Sequence, residues 1–358
     1  MFFLLSSSFC VACLTLYLLY PIALKVGFVD RPSARKVHQG HIPLIGGVSI
    51  FFPIVLLLSI YPELISNSEV FIFCSGALLL IGLIDDKRDL SVTLRLFVIS
   101  IISIWLAMYA DIKIHYLGDL VGYGAVILNG SAVLFTVIAI LGAVTAFNMV
   151  DGIDGLLGGL SIVTFTALAV LFGVNEQYDL LLFCLVIIAS IIPYVYCNLG
   201  LLPKRKMKIF MGDSGSLFIG FTVIWLLIEG SQAHNGPEMI NKINPVTALW
   251  IIAIPLMDMA YTMIRRIRKK QSPFKADREH IHHVCERLGL SKIQTLILIC
   301  FISSILACVG VIGEVLNISE MAMFFAFLIV FVGYYFCFSH IWRVSVFVRS
   351  LSSPIKRS

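Results

Sequence analysis

Charge is scarce in this sequence. Only 13% of its 358 residues are Asp, Glu, Lys or Arg, against 59% hydrophobic residues, and the mean hydropathy is +0.98. That imbalance excludes a soluble domain of this length. Low-complexity linkers and polar inserts large enough to fold alone are also missing, so residues 1–358 are expected to form a single multi-pass membrane domain. Neither a Walker A pattern nor a dinucleotide-binding fingerprint occurs, which removes the common phosphate-cradling loops. The nine cysteines are scattered, mostly within apolar runs, and do not form a disulfide framework. Cys10 and Cys13 make a C-x-x-C inside an apolar helix with no other metal or redox context, so small buried side chains are the plainer reading.

What is present is a series of apolar runs of about 17 to 25 residues, each long enough to cross a bilayer core as a helix. They fall near 2–24, 44–61, 69–84, 94–110, 132–147, 157–173, 179–198, 214–229, 246–264, 291–312 and 321–342. The expected fold is therefore all-α, with about eleven transmembrane helices. The first run lacks a positive n-region and is too long for a cleaved signal peptide, so it is expected to stay as a helix. Both Gly46-Gly47-Val48-Ser49-Ile50 and Gly158-Gly159-Leu160-Ser161-Ile162 open spans, and small residues for close helix packing explain the echo better than an internal repeat.

Positive charge is confined to alternate loops. Lys113 and Lys242 apart, the Lys and Arg residues, 24 of 26, fall on one side, which the positive-inside rule assigns to the cytoplasm. The expected orientation is N-terminus outside and C-terminus inside. Topology accounts for the net charge of +5, and no nucleic-acid partner is expected. The most basic segment, 265–290, is expected to be a cytoplasmic loop contributing to a site.

Acidic residues divide by side. Glu63, Glu69, Asp111, Asp119, Glu176, Asp179, Glu229, Glu238, Glu314 and Glu320 belong to the external loops, where solvation is an adequate explanation. The opposite set is almost all Asp. Asp85 and Asp86 end the third span, and adjacent carboxylates at a membrane boundary suit a metal or a proton transfer, unless Lys87 and Arg88 merely balance a helix end. In Asn148-Met149-Val150-Asp151-Gly152-Ile153-Asp154-Gly155 the glycines let the backbone approach a ligand, although either Asp could simply cap a helix. Asp213, in Phe210-Met211-Gly212-Asp213-Ser214-Gly215-Ser216, is a further hard oxygen ligand or a further cap. Three such clusters on one face are harder to explain as three independent caps.

Asp258 lies about 10 Å deep in the ninth span, counted from Arg265 at the helical rise, as a functional carboxylate or an interhelical hydrogen-bonding group. His280-Ile281-His282-His283 follows Arg265, Arg266, Arg268, Lys269, Lys270 and Arg278. So much positive charge opposes a zinc site with Cys285 and favours an anion, such as a diphosphate or a lipid phosphate. The constellation points to Mg²⁺-dependent phosphoryl transfer at a membrane surface.

Together and in this order, the Asp85-Asp86 pair, the 148–155 stretch, the 210–216 stretch and the histidine motif resemble the polyprenyl-phosphate N-acetylhexosamine-1-phosphate transferases of glycosyltransferase family 4. The resemblance runs from about Lys25 to the last span. It implies helices around a cytoplasm-facing active-site cleft, Mg²⁺ as cofactor with Mn²⁺ as an alternative, and a bilayer setting in which a homodimer is admissible. It also implies that undecaprenyl phosphate attacks the sugar-side phosphorus of UDP-N-acetylglucosamine, giving the lipid-diphosphate sugar and UMP, as the first membrane step of a surface polysaccharide such as O-antigen or enterobacterial common antigen. Carried over, Asp213 is the first choice of Mg²⁺ ligand and Asp151 the second. Asp85 and Asp86 are expected to position or deprotonate the lipid phosphate, and Asn148 to belong to the same polar site. Asp154 and Asn198 are expected towards the nucleotide, and His280, His282, His283 and Arg278 towards the diphosphate or sugar. The phospho-N-acetylmuramoyl-pentapeptide transferases share the carboxylates, but Ile281 interrupts the histidine run that they usually carry unbroken. An ion-coupled transporter, the reading from another class, would place its carboxylates near the midplane on interrupted helices; here only Asp258 is inside a span.

Overall fold

The computed structural model describes residues 1–31, 40–201, 207–232, 243–274 and 279–340. The chain runs as α1 (Phe2–Val26), β1 (Val29–Asp30), β2 (Ile42–Pro43), α2 (Gly46–Ile60), α3 (Ser68–Arg88), α4 (Val92–Tyr109), α5 (Ala132–Val150), α6 (Leu156–Val174) and α7 (Tyr178–Asn198). It continues as α8 (Gly212–Ser231), α9 (Pro245–Ile251), α10 (Ala253–Arg268), α11 (Ile281–Arg287), α12 (Lys292–Val315) and α13 (Glu320–Ser339). β1 and β2 form a two-stranded antiparallel ribbon. The fold is all-α and polytopic.

Among the described residues nine helices are long and apolar enough to cross a membrane, α9 with α10 makes a tenth span if counted as one, and α2 is a shorter apolar helix of 15 residues. These correspond to the eleven apolar runs, with one correction. The run at 246–264 is not one straight helix: α9 and α10 meet at 81°. Pro255 supplies the reason, because it has no N–H to donate and its ring clashes with the carbonyl four residues back, on Ile251, where α9 ends. Segment 265–290 likewise is not simply a loop, since α10 extends to Arg268 and α11 occupies Ile281–Arg287.

The core is built around α8. Of its apolar window 94% is buried, against 11% for α13 at the periphery. Lipid tails are as apolar as the helices, so close packing rather than hydrophobic expulsion must join them. Glycine provides it: a Cβ on Gly47 of α2 would strike the backbone of Gly215, one on Gly82 of α3 the backbone of Ser214, and one on Gly220 the backbone of Val144 on α5. The two Gly-Gly pairs flank one side chain, with Gly46 and Gly158 both against the Tyr194 ring of α7. Close packing is thus what the sequence echo encodes.

Three of the acidic residues first explained by solvation are tied between helices instead. Glu229 accepts hydrogen bonds from the Ser66 N–H and Trp225 Nε1. Glu314 accepts from Asn244 N–H and the Thr247 hydroxyl, and Glu320 from Asp119 N–H. Partly buried carboxylates facing apolar helices need such donors. They close the end of the bundle opposite the Asp clusters.

Candidate active site

The C-terminus of α3 meets the N-terminus of α8. Helix α8 lacks a side-chain cap of its own, and its first amides need acceptors. Asp86 supplies them from another helix: Oδ1 accepts the Asp213 N–H at 2.7 Å and Oδ2 the Ser214 N–H at 3.2 Å. A negative charge also suits that end of the helix dipole. Gly212 is needed here on two counts, a φ of +76° and the Asp86 carboxylate where a Cβ would stand.

Asp85 faces elsewhere. It is buried, takes the Leu90 N–H at 2.7 Å, and is paired with Arg95 Nη1 at 2.5 Å. The same guanidinium nitrogen lies 3.5 Å from Asp213 Oδ2. Arg95 therefore links two acidic clusters. As sequence it served only as a topology marker, and the signal overlooked was a basic residue one turn inside an apolar helix, just after the Ser91 cap.

Asn148, near the end of α5, donates from Nδ2 to Asp213 Oδ1 at 2.6 Å and to Ser216 Oγ at 2.8 Å. Asp151 follows α5 directly and faces Asp213, Asp86 and Asp154. Asp151 keeps an exposed face, and the crowding of protein around it, then repulsion from those three carboxylates, push its pKa up to about 7. Asp154 pairs with Lys208 Nζ at 2.6 Å, and that ammonium sits 5.4 Å from the Phe210 ring centroid. Lys208, too, was first a topology marker.

Asn198 has a different place from the one expected. It is 3% exposed, its Oδ1 accepts from Gly155 N–H at 2.5 Å, and its Nδ2 donates to Ile209 O at 2.8 Å. With both ends of the amide engaged, it braces the turn carrying Asp151 and Asp154 rather than facing a nucleotide.

The histidine motif folds over the same turn. A Cβ on Gly152 would collide with the His282 ring, so His282 lies against the residue after Asp151. Its ring is 2% exposed, and neither ring nitrogen has a hydrogen-bond partner among the described residues. Burial, followed by repulsion from His283 and His280, lowers its pKa to about 3, so the ring is neutral near pH 7. His283 lies beside it, ring centroids 4.2 Å apart, and is lowered chiefly by burial against the opposing pull of Glu286. His280 turns towards Asp258, its Nδ1 2.8 Å from Oδ2. Two arginines of the basic segment hold that segment together: Arg265 pairs with Glu279, and Arg266 donates to Pro273 O at 2.5 Å. Arg278 lies outside the described residues.

Among the described residues no three His, Cys, Asp or Glu side chains converge closely enough to hold a metal alone. Mg²⁺ rarely has such a cage and is usually held by one or two carboxylates plus substrate phosphates. Asp213 and Asp151 offer hard oxygens, and Asp151 lies among three other carboxylates, Asp213, Asp86 and Asp154. The residues present fit a small divalent cation.

Fold and site define a class: a multi-span membrane protein with a cluster of carboxylates, paired with Arg95 and Lys208, at one end of the bundle. Comparison with known proteins narrows it. The profile of Glycosyl transferase family 4 matches residues 69–231, which takes in Asp85, Asp86, Asp151 and Asp213. Proteins named undecaprenyl-phosphate alpha-N-acetylglucosaminyl 1-phosphate transferase are similar along almost the whole chain. That of Yersinia pestis is 44% identical over 96% of this chain and 93% of its own, and that of Haemophilus influenzae 42% over 98% and 97%. The Escherichia coli K12 protein is 41% identical over 99% and 95%. The chain belongs to glycosyl transferase family 4, in the group of these sugar-phosphate transferases.

Proposed function

We propose that this protein transfers N-acetylglucosamine-1-phosphate from UDP-N-acetylglucosamine to undecaprenyl phosphate. An oxygen of the lipid phosphate forms the new bond to the sugar-side phosphorus, the bond from that phosphorus to the bridging oxygen breaks, and UMP leaves with the electron pair. The observation that carries this reading is the meeting of three segments at Asp213, which is joined to Asp86 through its N–H and to Asn148 and Arg95 through its carboxylate. Full-length similarity to the relatives named above supports the choice of substrates.

Asp213 and Asp151 would hold Mg²⁺, with Mn²⁺ as an alternative, and the bound cation would neutralise charge on the diphosphate. Arg95, held by Asp85, and Lys208, held by Asp154, present cations for substrate phosphates. A phosphate monoester is largely ionised near neutral pH, so orientation rather than a strong base is the main requirement. Asp86 then acts by fixing the N-terminus of α8 and with it Asp213. His282 covers the Asp151 turn with His283 beside it, and neutral imidazole rings can hydrogen-bond to sugar or phosphate oxygens. The basic end of the bundle faces the cytoplasm of a bacterial inner membrane, and the sugar enters a surface polysaccharide.

The test is UMP release by the purified protein in lipid nanodiscs with Mg²⁺, undecaprenyl phosphate and UDP-N-acetylglucosamine. Folded protein that releases no UMP would refute the assignment. UDP-N-acetylmuramoyl-pentapeptide, run in parallel, should give none.

A further inference from the structure

Asp258 takes no part in the reaction just described, yet its carboxylate is 1% exposed within an apolar helix. A charge buried there is costly unless donors surround it. Three donors do, from two segments: His280 Nδ1 at 2.8 Å and the Ile281 N–H at 2.9 Å at the start of α11, and the Tyr334 hydroxyl of α13 at 3.0 Å. A carboxylate only accepts, so the Nδ1 of His280 must carry a proton towards Asp258, which fixes the Nδ1–H tautomer whenever the ring holds a single proton. The His280 ring lies parallel to that of His282, at 2° with centroids 5.9 Å apart, and His282 rests on Gly152 beside Asp151. α13, at the periphery of the bundle, reaches Asp258 through Tyr334.

We propose that Asp258 is a positioning residue: it fixes the tautomer and facing of His280 and thereby sets the row of histidines over the Asp151 turn. The proposal rests on the transferase reading above for its kinetic consequence, but not for its structural one.

The experiment compares wild type, Asp258→Asn, Tyr334→Phe, His280→Gln and the Asp258→Asn/His280→Gln double variant in nanodiscs. UMP release gives kcat and KM, and ¹⁵N-histidine spectra report which ring nitrogen carries the proton. In Asp258→Asn the amide presents a donor to Nδ1, so the His280 proton should move to Nε2. We expect kcat to fall by about tenfold or more, on the scale of other histidine-orienting partners, with KM for UDP-N-acetylglucosamine little changed. The double variant should be no worse than His280→Gln, as for residues acting as one unit. Tyr334→Phe, a milder change that protects the test from misfolding, should shift the His280 signal and lower kcat by about twofold to fivefold, the range of a lost hydrogen bond. An unmoved His280 proton in Asp258→Asn, losses that multiply in the double variant, or an unchanged spectrum in Tyr334→Phe would overturn the proposal. Wild type that releases no UMP would remove the transferase reading, while the spectra would still decide the role of Asp258.

Discussion

The side chain of Asp86 caps a helix to which it does not belong, accepting the backbone N–H of Asp213 at 2.7 Å. A residue that sequence reading offered as a base for the lipid phosphate is engaged in holding the proposed metal ligand. Asp86→Ala should lower stability by about 0.5 to 2 kcal/mol, the usual range for a lost cap, and should lower turnover further by freeing Asp213. Thermal melting and UMP release, measured on one preparation, separate the two effects. A variant that is destabilised but fully active at low temperature would show that the cap serves stability alone.

Asp213→Asn keeps the size of the side chain and an oxygen for Asn148 to donate to, but removes the charge. Insertion and melting should stay near wild type, while turnover falls by about a hundredfold, as for loss of one preorganised electrostatic partner. Near-normal activity across a Mg²⁺ titration would mean that Asp213 is not the metal ligand.

Asp151 sets a pH dependence. Its pKa is raised from 3.8 to about 7 in the fold, so the fold favours the protonated form. The associated stability is fully present below pH 4 and is lost as pH rises through about 7. In metal-free protein, Asp151→Asn should therefore melt higher than wild type at pH 8, and the gap should close towards pH 5. Cation binding needs the carboxylate, so apparent Mg²⁺ affinity of wild type should rise from pH 6 to pH 8 with proton release. Equal melting curves at both pH values would remove Asp151 from this role.

His282 buries two ring nitrogens that have no partners among the described residues. Such groups cost stability, and replacing them with an apolar side chain is nearly neutral or stabilising. His282→Leu should melt within a few degrees of wild type or above it, with reduced UMP release. Full activity in this variant would show that the ring makes no contact with substrate.

Orientation has its own test. Tyr123 is 96% exposed in the loop before α5, at the end of the bundle opposite the Asp clusters. In intact cells Tyr123→Cys should react with a membrane-impermeant maleimide added outside. Labelling only after the cells are opened would reverse the orientation.

The sequence by itself determined the solvent of this protein, its spans and the ends at which they turn, because a run of apolar residues long enough to cross a bilayer has few alternatives once water is excluded. It also brought Asp85, Asp86, Asp151 and Asp213 to one end, since each stands where a run stops or starts. Which of them holds and which is held was beyond it. Asp86 capping α8, Arg95 between Asp85 and Asp213, Asn198 bracing the Asp151 turn and Asp258 anchoring His280 all join residues from separate segments. Periodicity and composition describe a segment against its solvent, whereas these roles depend on the angle at which helices meet. That angle comes from local events, the glycines that let α2, α3 and α8 touch and the proline that bends α9 from α10, acting on neighbours distant in the chain.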